Sequence, residues 1–226
     1  MKIKLSYLLI LLYSLVSCQE KSIINDLKFS NYSGHPKKIT EVITFSNQNI
    51  NENISYFDKE GFLTKVEYYN VIKSGSSHDR LINEITTYNS KDKAKRYFEV
   101  INPETKKIVT NGYFEKISDS LYKRVSNATD HNISLHKLFY FDRNNRLIKT
   151  EETGNFYETP INSIILYTYT NTLKNEILFE NLTNHKKSKH IYKNVKLDPN
   201  ANSVYEELVD DHGILQQKTE RKFEYY

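Results

Sequence analysis

From Lys37 onward the chain alternates short apolar and polar positions, with turn residues at intervals of roughly 8–12, the pattern of an all-β domain. Strands are predicted over 39–45, 51–57, 62–71, 81–88, 95–101, 107–116, 121–126, 133–141, 146–152, 163–170, 176–182, 190–197, 203–209 and 215–225. Within 133–141 the odd positions are mostly apolar, Lys137 being the exception, as expected when one face is buried. No window of eleven or more residues keeps a clean helical stripe; Tyr205-Glu206-Glu207-Leu208 is the stretch that would best tolerate a helical turn. The expected fold class is all-β: an antiparallel meander of hairpins forming an elongated twisted sheet, or an open barrel or sandwich.

One turn recurs within this pattern. Tyr56-Phe57-Asp58-Lys59-Glu60-Gly61-Phe62-Leu63 matches Tyr140-Phe141-Asp142-Arg143-Asn144-Asn145-Arg146-Leu147 position for position. Leu208-Val209-Asp210-Asp211-His212-Gly213-Ile214-Leu215 is a weaker copy, and Tyr88 to Ala94 a degenerate fourth. An Asp at the first turn position can accept bonds from backbone amides ahead of it, and the residue three later must enter the left-handed region. Gly61, Asn145, Gly213 and Asp92 are the residue types that tolerate it. The product is a hairpin with a type I turn followed by a bulge, which makes Asp58, Asp142 and Asp210, with their left-handed partners, the structural residues of the turns.

This unit resembles the YD repeat of the RHS family, and the chain looks like small Bacteroidota-type lipoproteins carrying a few such hairpins. The resemblance covers three or four hairpins, about a third of the chain. Its spacing departs from the family, since 84 residues separate Asp58 from Asp142 and 68 separate Asp142 from Asp210. Many regular copies build a closed shell in that family; uneven copies here favour a twisted meander.

The N-terminus follows a different plan. Lys2 and Lys4 precede a nearly unbroken apolar run from Leu5 to Val16, ended by the small Ser17, the layout of a secretory signal. At about a dozen residues the run is too short for a spanning helix, which needs roughly 20. Leu15-Val16-Ser17-Cys18 resembles the lipobox of bacterial lipoproteins, and Cys18 is the sole cysteine. The resemblance implies a diacylated Cys18 that becomes the new N-terminus, and two acyl chains suffice for stable anchoring. The expected organisation is a signal peptide over 1–17, a lipidated tether over 18–36, and an all-β domain over 37–226. Gln19 differs from the Asp associated with inner-membrane retention, so the expected address is the outer membrane.

Composition adds exclusions. From Cys18 onward 30 Lys and Arg face 28 Asp and Glu, a balance that gives no case for a nucleic-acid partner. An acylated Cys18 leaves no thiol for a disulfide, a nucleophile or a zinc site. The seven histidines form no metal-ligand cluster, and His131 and His136, at the start of and within one predicted strand and five apart, face opposite ways. Adjacent carboxylates such as Glu151-Glu152, Glu206-Glu207 and Asp210-Asp211 diverge for the same reason. No nucleophile elbow, Walker loop or dinucleotide fingerprint occurs, so no catalytic residue, cofactor or metal is assigned. Eighteen tyrosines recur along the strands, suited first to cross-strand packing and secondarily to binding. Asp119-Ser120-Leu121 resembles a Bacteroidota O-glycosylation acceptor. The function expected is a non-enzymatic binding module, held to the membrane through Cys18, for an envelope or secreted protein. The alternatives are an immunity or inhibitor lipoprotein against a secreted toxin and a surface glycan-binding lipoprotein.

Overall fold

The computed structural model describes residues 23–74, 77–89, 91–128, 133–157, 159–171 and 173–226. One helical turn, α1 (Asp26–Phe29), precedes fourteen strands. They are β1 (Pro36–Phe45), β2 (Ile50–Phe57), β3 (Leu63–Ser74), β4 (Ser77–Asn89), β5 (Lys95–Ile101), β6 (Ile108–Ser118) and β7 (Leu121–Ala128). The remainder are β8 (Ser134–Phe141), β9 (Leu147–Phe156), β10 (Thr159–Thr170), β11 (Leu173–Asn181), β12 (Lys186–Leu197), β13 (Ser203–Asp210) and β14 (Leu215–Tyr225). Each strand pairs antiparallel with its neighbours in sequence, and β14 pairs with β1.

Every strand predicted from the alternation is present, because a residue period of two specifies which face is buried. The sheet, left open by the sequence, closes through nine paired positions from Pro36↔Tyr225 to Phe45↔Gln217. Closure removes both edge strands. Residues 203–209 form strand rather than helix, paired on both sides through Tyr205↔Lys196 and Tyr205↔Glu220.

A barrel of fourteen strands is wider than side chains alone can fill; about eight strands is the width at which they just do. Here the N-terminal segment fills one end. Within the expected tether over 18–36, Ile23, Ile24, Leu27, Phe29 and Tyr32 pack in the barrel mouth; 18–22 lie outside the described residues. Ile24 and Phe29 pack on Tyr122, Phe139, Phe141 and Leu147, while Leu27 packs on Ile39 and Phe57 on the opposite wall. The Phe29 ring meets four others edge-on, at 4.6 Å from Phe141, 4.9 Å from Phe139, 5.1 Å from Phe114 and 5.8 Å from Tyr122.

One charge goes in with these rings. Asp26 is 8 % exposed and Arg96, on β5, 4 %. The guanidinium donates to both carboxylate oxygens, at 2.6 and 2.7 Å, the bidentate geometry that suits this pair. Asp26 Oδ2 also accepts from the Leu63 amide at 2.6 Å. Removing one partner of a buried pair strands the other charge, so Asp26→Ala and Arg96→Ala should each lower stability by about 3–5 kcal/mol. In urea titrations the double variant should cost less than the sum of the two; strict additivity would show that the pair is not coupled.

Candidate functional site in the barrel lumen

Four turns share one geometry. In each the Asp amide and carbonyl close the turn, and its Oδ1 accepts from the amides two and four residues later. For Asp58 these are Glu60 and Phe62, at 2.9 and 3.0 Å; for Asp142, Asn144 and Arg146, both at 2.9 Å. For Asp210 they are His212 and Ile214, at 3.0 and 2.8 Å. The fourth is Asp198, bonded to Asn200 and Asn202 at 2.9 and 2.8 Å, not the Asp92 hairpin that the sequence suggested. Gly61, Asn145, Gly213 and Ala201 take the left-handed position, with φ of 85°, 59°, 81° and 62°. Asp92 does not; its carboxylate accepts from Ala94 in an ordinary bend. A pairing irregularity just ahead of each Asp marks the bulge.

The strand order places the turns at Asp58, Asp142 and Asp198 at the plugged end and the Asp210 turn at the far end. Two of the three at the plugged end hold the plug directly. Leu27 N donates to Gly61 O at 3.2 Å, and Asn25 Nδ2 to Glu60 O at 2.6 Å. A Cβ on Gly61 would come within 2.6 Å of Asn25. Asn202, 1 % exposed, holds the other end of the plug: it accepts from Ser33 N at 2.6 Å and donates to Ser33 O at 3.0 Å.

The plug leaves a cavity of about 310 Å³ between itself and the wall formed by β8, β9 and β11 to β14. Its apolar lining is formed by Phe29, Phe139, Leu147 and Leu173. Its polar lining includes Lys174, Tyr192, Glu206 and Arg221. The β14 strand sets Arg221 opposite Glu41 on β1, where Nε donates to Glu41 Oε2 at 2.6 Å and Nη2 to Glu206 Oε1 at 2.7 Å. Ser203 Oγ satisfies Glu206 Oε2 at 2.9 Å. Lys174 reaches the lumen because β10 and β11 shift register between Thr168 and Tyr169, which pairs Lys174 with Tyr169 and re-aims its side chain. Desolvation pushes the Lys174 amine below its usual pKa; Glu206 and Glu41 offset part of this, and Arg221 adds to it. Burial pushes the Tyr192 and Tyr32 hydroxyls well above theirs.

Reading the sequence missed Asp26, Arg96, Lys174 and Arg221. For Arg96 a signal existed: it shares a strand face with the buried Phe98 and Val100, where an unpaired charge has no place. Lys137, the noted exception on β8, also turns inward, 3.7 Å from Glu152. Cys18 and His131 lie outside the described residues, and His136 is exposed on the outer wall.

Outside, the wall is charged along its length. Lys38–Glu224, Lys65–Glu67, Lys95–Glu115 and Lys149–Glu151 lie towards the plugged end, Lys189–Glu176 midway, and Lys187–Glu180 and Arg80–Glu52 towards the far end. Tyrosines are woven into these pairs. Tyr56 donates to Glu67 at 3.0 Å while Lys65 sits 5.0 Å over its ring. Tyr140, Glu151 and Lys149 repeat the arrangement at 2.7 and 4.9 Å.

No known protein family matches the sequence, and no curated protein does. In fold the chain is similar to a porin-like protein from Bacteroides vulgatus, at 12 % identity and a TM-score of 0.52, over 84 % of this chain and 98 % of that one. A porin-like protein from Bacteroides uniformis superposes more loosely, at 10 % identity and a TM-score of 0.44, over 85 % and 99 %. The class defined by fold and topology is a closed, all-antiparallel β-barrel. A bilayer-crossing barrel carries an outward apolar band roughly 25 Å tall, and Lys or Arg at its centre costs about 2–4 kcal/mol. The ion pairs around this wall interrupt any such band among the described residues.

Two outcomes follow from the turns. Ala201 holds a left-handed conformation that costs a non-glycine residue roughly 1–2 kcal/mol, so Ala201→Gly should raise the urea midpoint by about 1 kcal/mol of stability. Burial alone would raise the carboxyl pKa values of Asp58, Asp142 and Asp198, but their amide and side-chain partners outweigh it and hold all three below the usual range. With folded values depressed, their contribution is complete above the unfolded aspartate pKa of about 3.9 and is lost as pH falls through the folded values. Melting temperature should therefore drop on acidification below about pH 4. Asp142→Asn should start lower at pH 7 and fall less steeply; an unchanged slope would count against this origin.

Proposed function

We propose that this protein is a lipid-anchored binding protein of the bacterial outer membrane, with its barrel standing in water rather than crossing the bilayer. The observation that carries this is the charged outer wall, with ion pairs from one end of the barrel to the other. The anchor is Cys18 in its lipobox, and Ile23, packed in the mouth, follows five residues later. Five residues span at most about 18 Å, so the plugged end faces the membrane and the far rim points away. That rim displays Ile72, Ile108, Phe156, Tyr157, Ile214 and Leu215, each at least 39 % exposed. Phe156 and Tyr157 stand edge to face at 4.9 Å, and paired aromatics are the anchors that protein interfaces favour. The protein thus acts by presenting its far rim to a protein partner.

Fractionation of cells expressing Cys18→Ala tests the mode of attachment. The expected outcome is loss from the membrane fraction with the β-sheet circular dichroism signal intact. A variant that stays in carbonate-washed membranes would mean that the wall itself is inserted. For the rim, capture of partner by the full-length protein after crosslinking should fall at least tenfold in Phe156→Ser/Tyr157→Ser. Equal capture by both forms would place the contact elsewhere.

A further inference from the structure

The lumen cavity holds two polar groups that the fold does not use. The Lys174 ammonium sits 5.2 Å from the centre of the Tyr167 ring and makes no ion pair or hydrogen bond among the described residues. The Tyr192 hydroxyl makes none there either. Both line the same cavity. Their neighbours are already occupied: Glu206 gives one oxygen to Arg221 and the other to Ser203, and Arg221 is shared between Glu41 and Glu206. Lys174 is half-buried, and its ammonium borders the cavity without touching a carboxylate, although Glu206 and Glu41 lie near enough to favour its charge.

The shape of the remaining space narrows the class. At about 310 Å³ the cavity is at the small end of ligand pockets, which run from about 300 to 1,000 Å³. Its lining also includes the Phe29 and Phe139 rings with Leu147 and Leu173, a surface for a flat or compact apolar body. It borders Ser30 and Asn31 of the plug and Ala201 of the β12–β13 turn, and Asn31 and Ala201 are exposed, so a route in exists beside the plug. The geometry points to a binding site for a small organic anion, a carboxylate carried on an aromatic or compact aliphatic body. In it Lys174 supplies the counter-charge and Tyr192 a hydrogen-bond donor. This goes beyond the envelope reading and does not depend on it.

Phenylacetate is a suitable probe, with phenylacetamide and phenethylammonium as its neutral and cationic counterparts. With the full chain in nanodiscs and empty nanodiscs subtracted, calorimetry should show phenylacetate binding one-to-one, at least tenfold more tightly than either counterpart. Lys174→Met should abolish that preference, and Tyr192→Phe should weaken phenylacetate about threefold. If Lys174→Met fails to fold, the three probes against the natural protein still decide the matter. Equal affinities for the three, no saturable binding at millimolar phenylacetate, or a preference that survives in Lys174→Met would overturn the assignment.

Discussion

The bidentate contact between Asp26 and Arg96 ties the plug to the barrel wall deep in the interior. Apolar packing would let a segment as short as 23–34 settle into a wide barrel in several ways, since burial of rings is non-directional. A buried ion pair with two fixed hydrogen bonds admits one placement. Arg96 also lies within 5.1–5.6 Å of the faces of Phe62, Tyr88 and Phe114, so its guanidinium joins the aromatic layer instead of interrupting it. Fixing register is the best-attested role for a buried charge, and two directed hydrogen bonds suit this pair to it.

With that contact in place, the turns and the lumen divide the work. The hairpins at Asp58 and Asp198 reach inward through Glu60, Gly61 and Asn202 and clamp the two ends of the plug. The plug then roofs the cavity through Phe29, Ser30, Asn31 and Tyr32. Rings face both ways: Tyr122 and Tyr32 belong to the interior, while Tyr56, Tyr140 and Tyr205 bond to glutamates on the outer wall. The tyrosine abundance is thus mostly packing and cross-strand bonding, in keeping with the role first assigned to it.

The strands were legible because alternation is local, written within each run of seven to thirteen residues. Closure was not, because it rests on pairs such as Glu41 with Arg221, 180 positions apart. The plug reads as a loop in sequence, Ser30 to Pro36 being turn residues, and only the far-off partners Arg96 and Asn202 make it part of the core. The fourth turn was hidden by Ala201, which stands where glycine or asparagine is expected. Lys174 faces the lumen only through a register shift that no periodicity announces.

Taking the three turns at the plugged end, at Asp58, Asp142 and Asp198, as one series alters what the chain looks like as a product of duplication. Asp142 lies 84 residues after Asp58, and Asp198 lies 56 after Asp142, both multiples of 28. The outer triads obey the same spacing: Tyr56 with Lys65 and Glu67, Tyr140 with Lys149 and Glu151, and Lys196 with Tyr205 and Glu207, cation and ring exchanged in the last. A wall assembled from such modules can widen or narrow only by a whole strand pair, since an odd strand would bring two edges together in parallel. Its bore is therefore quantised, and each step gained or lost would demand a plug of different girth.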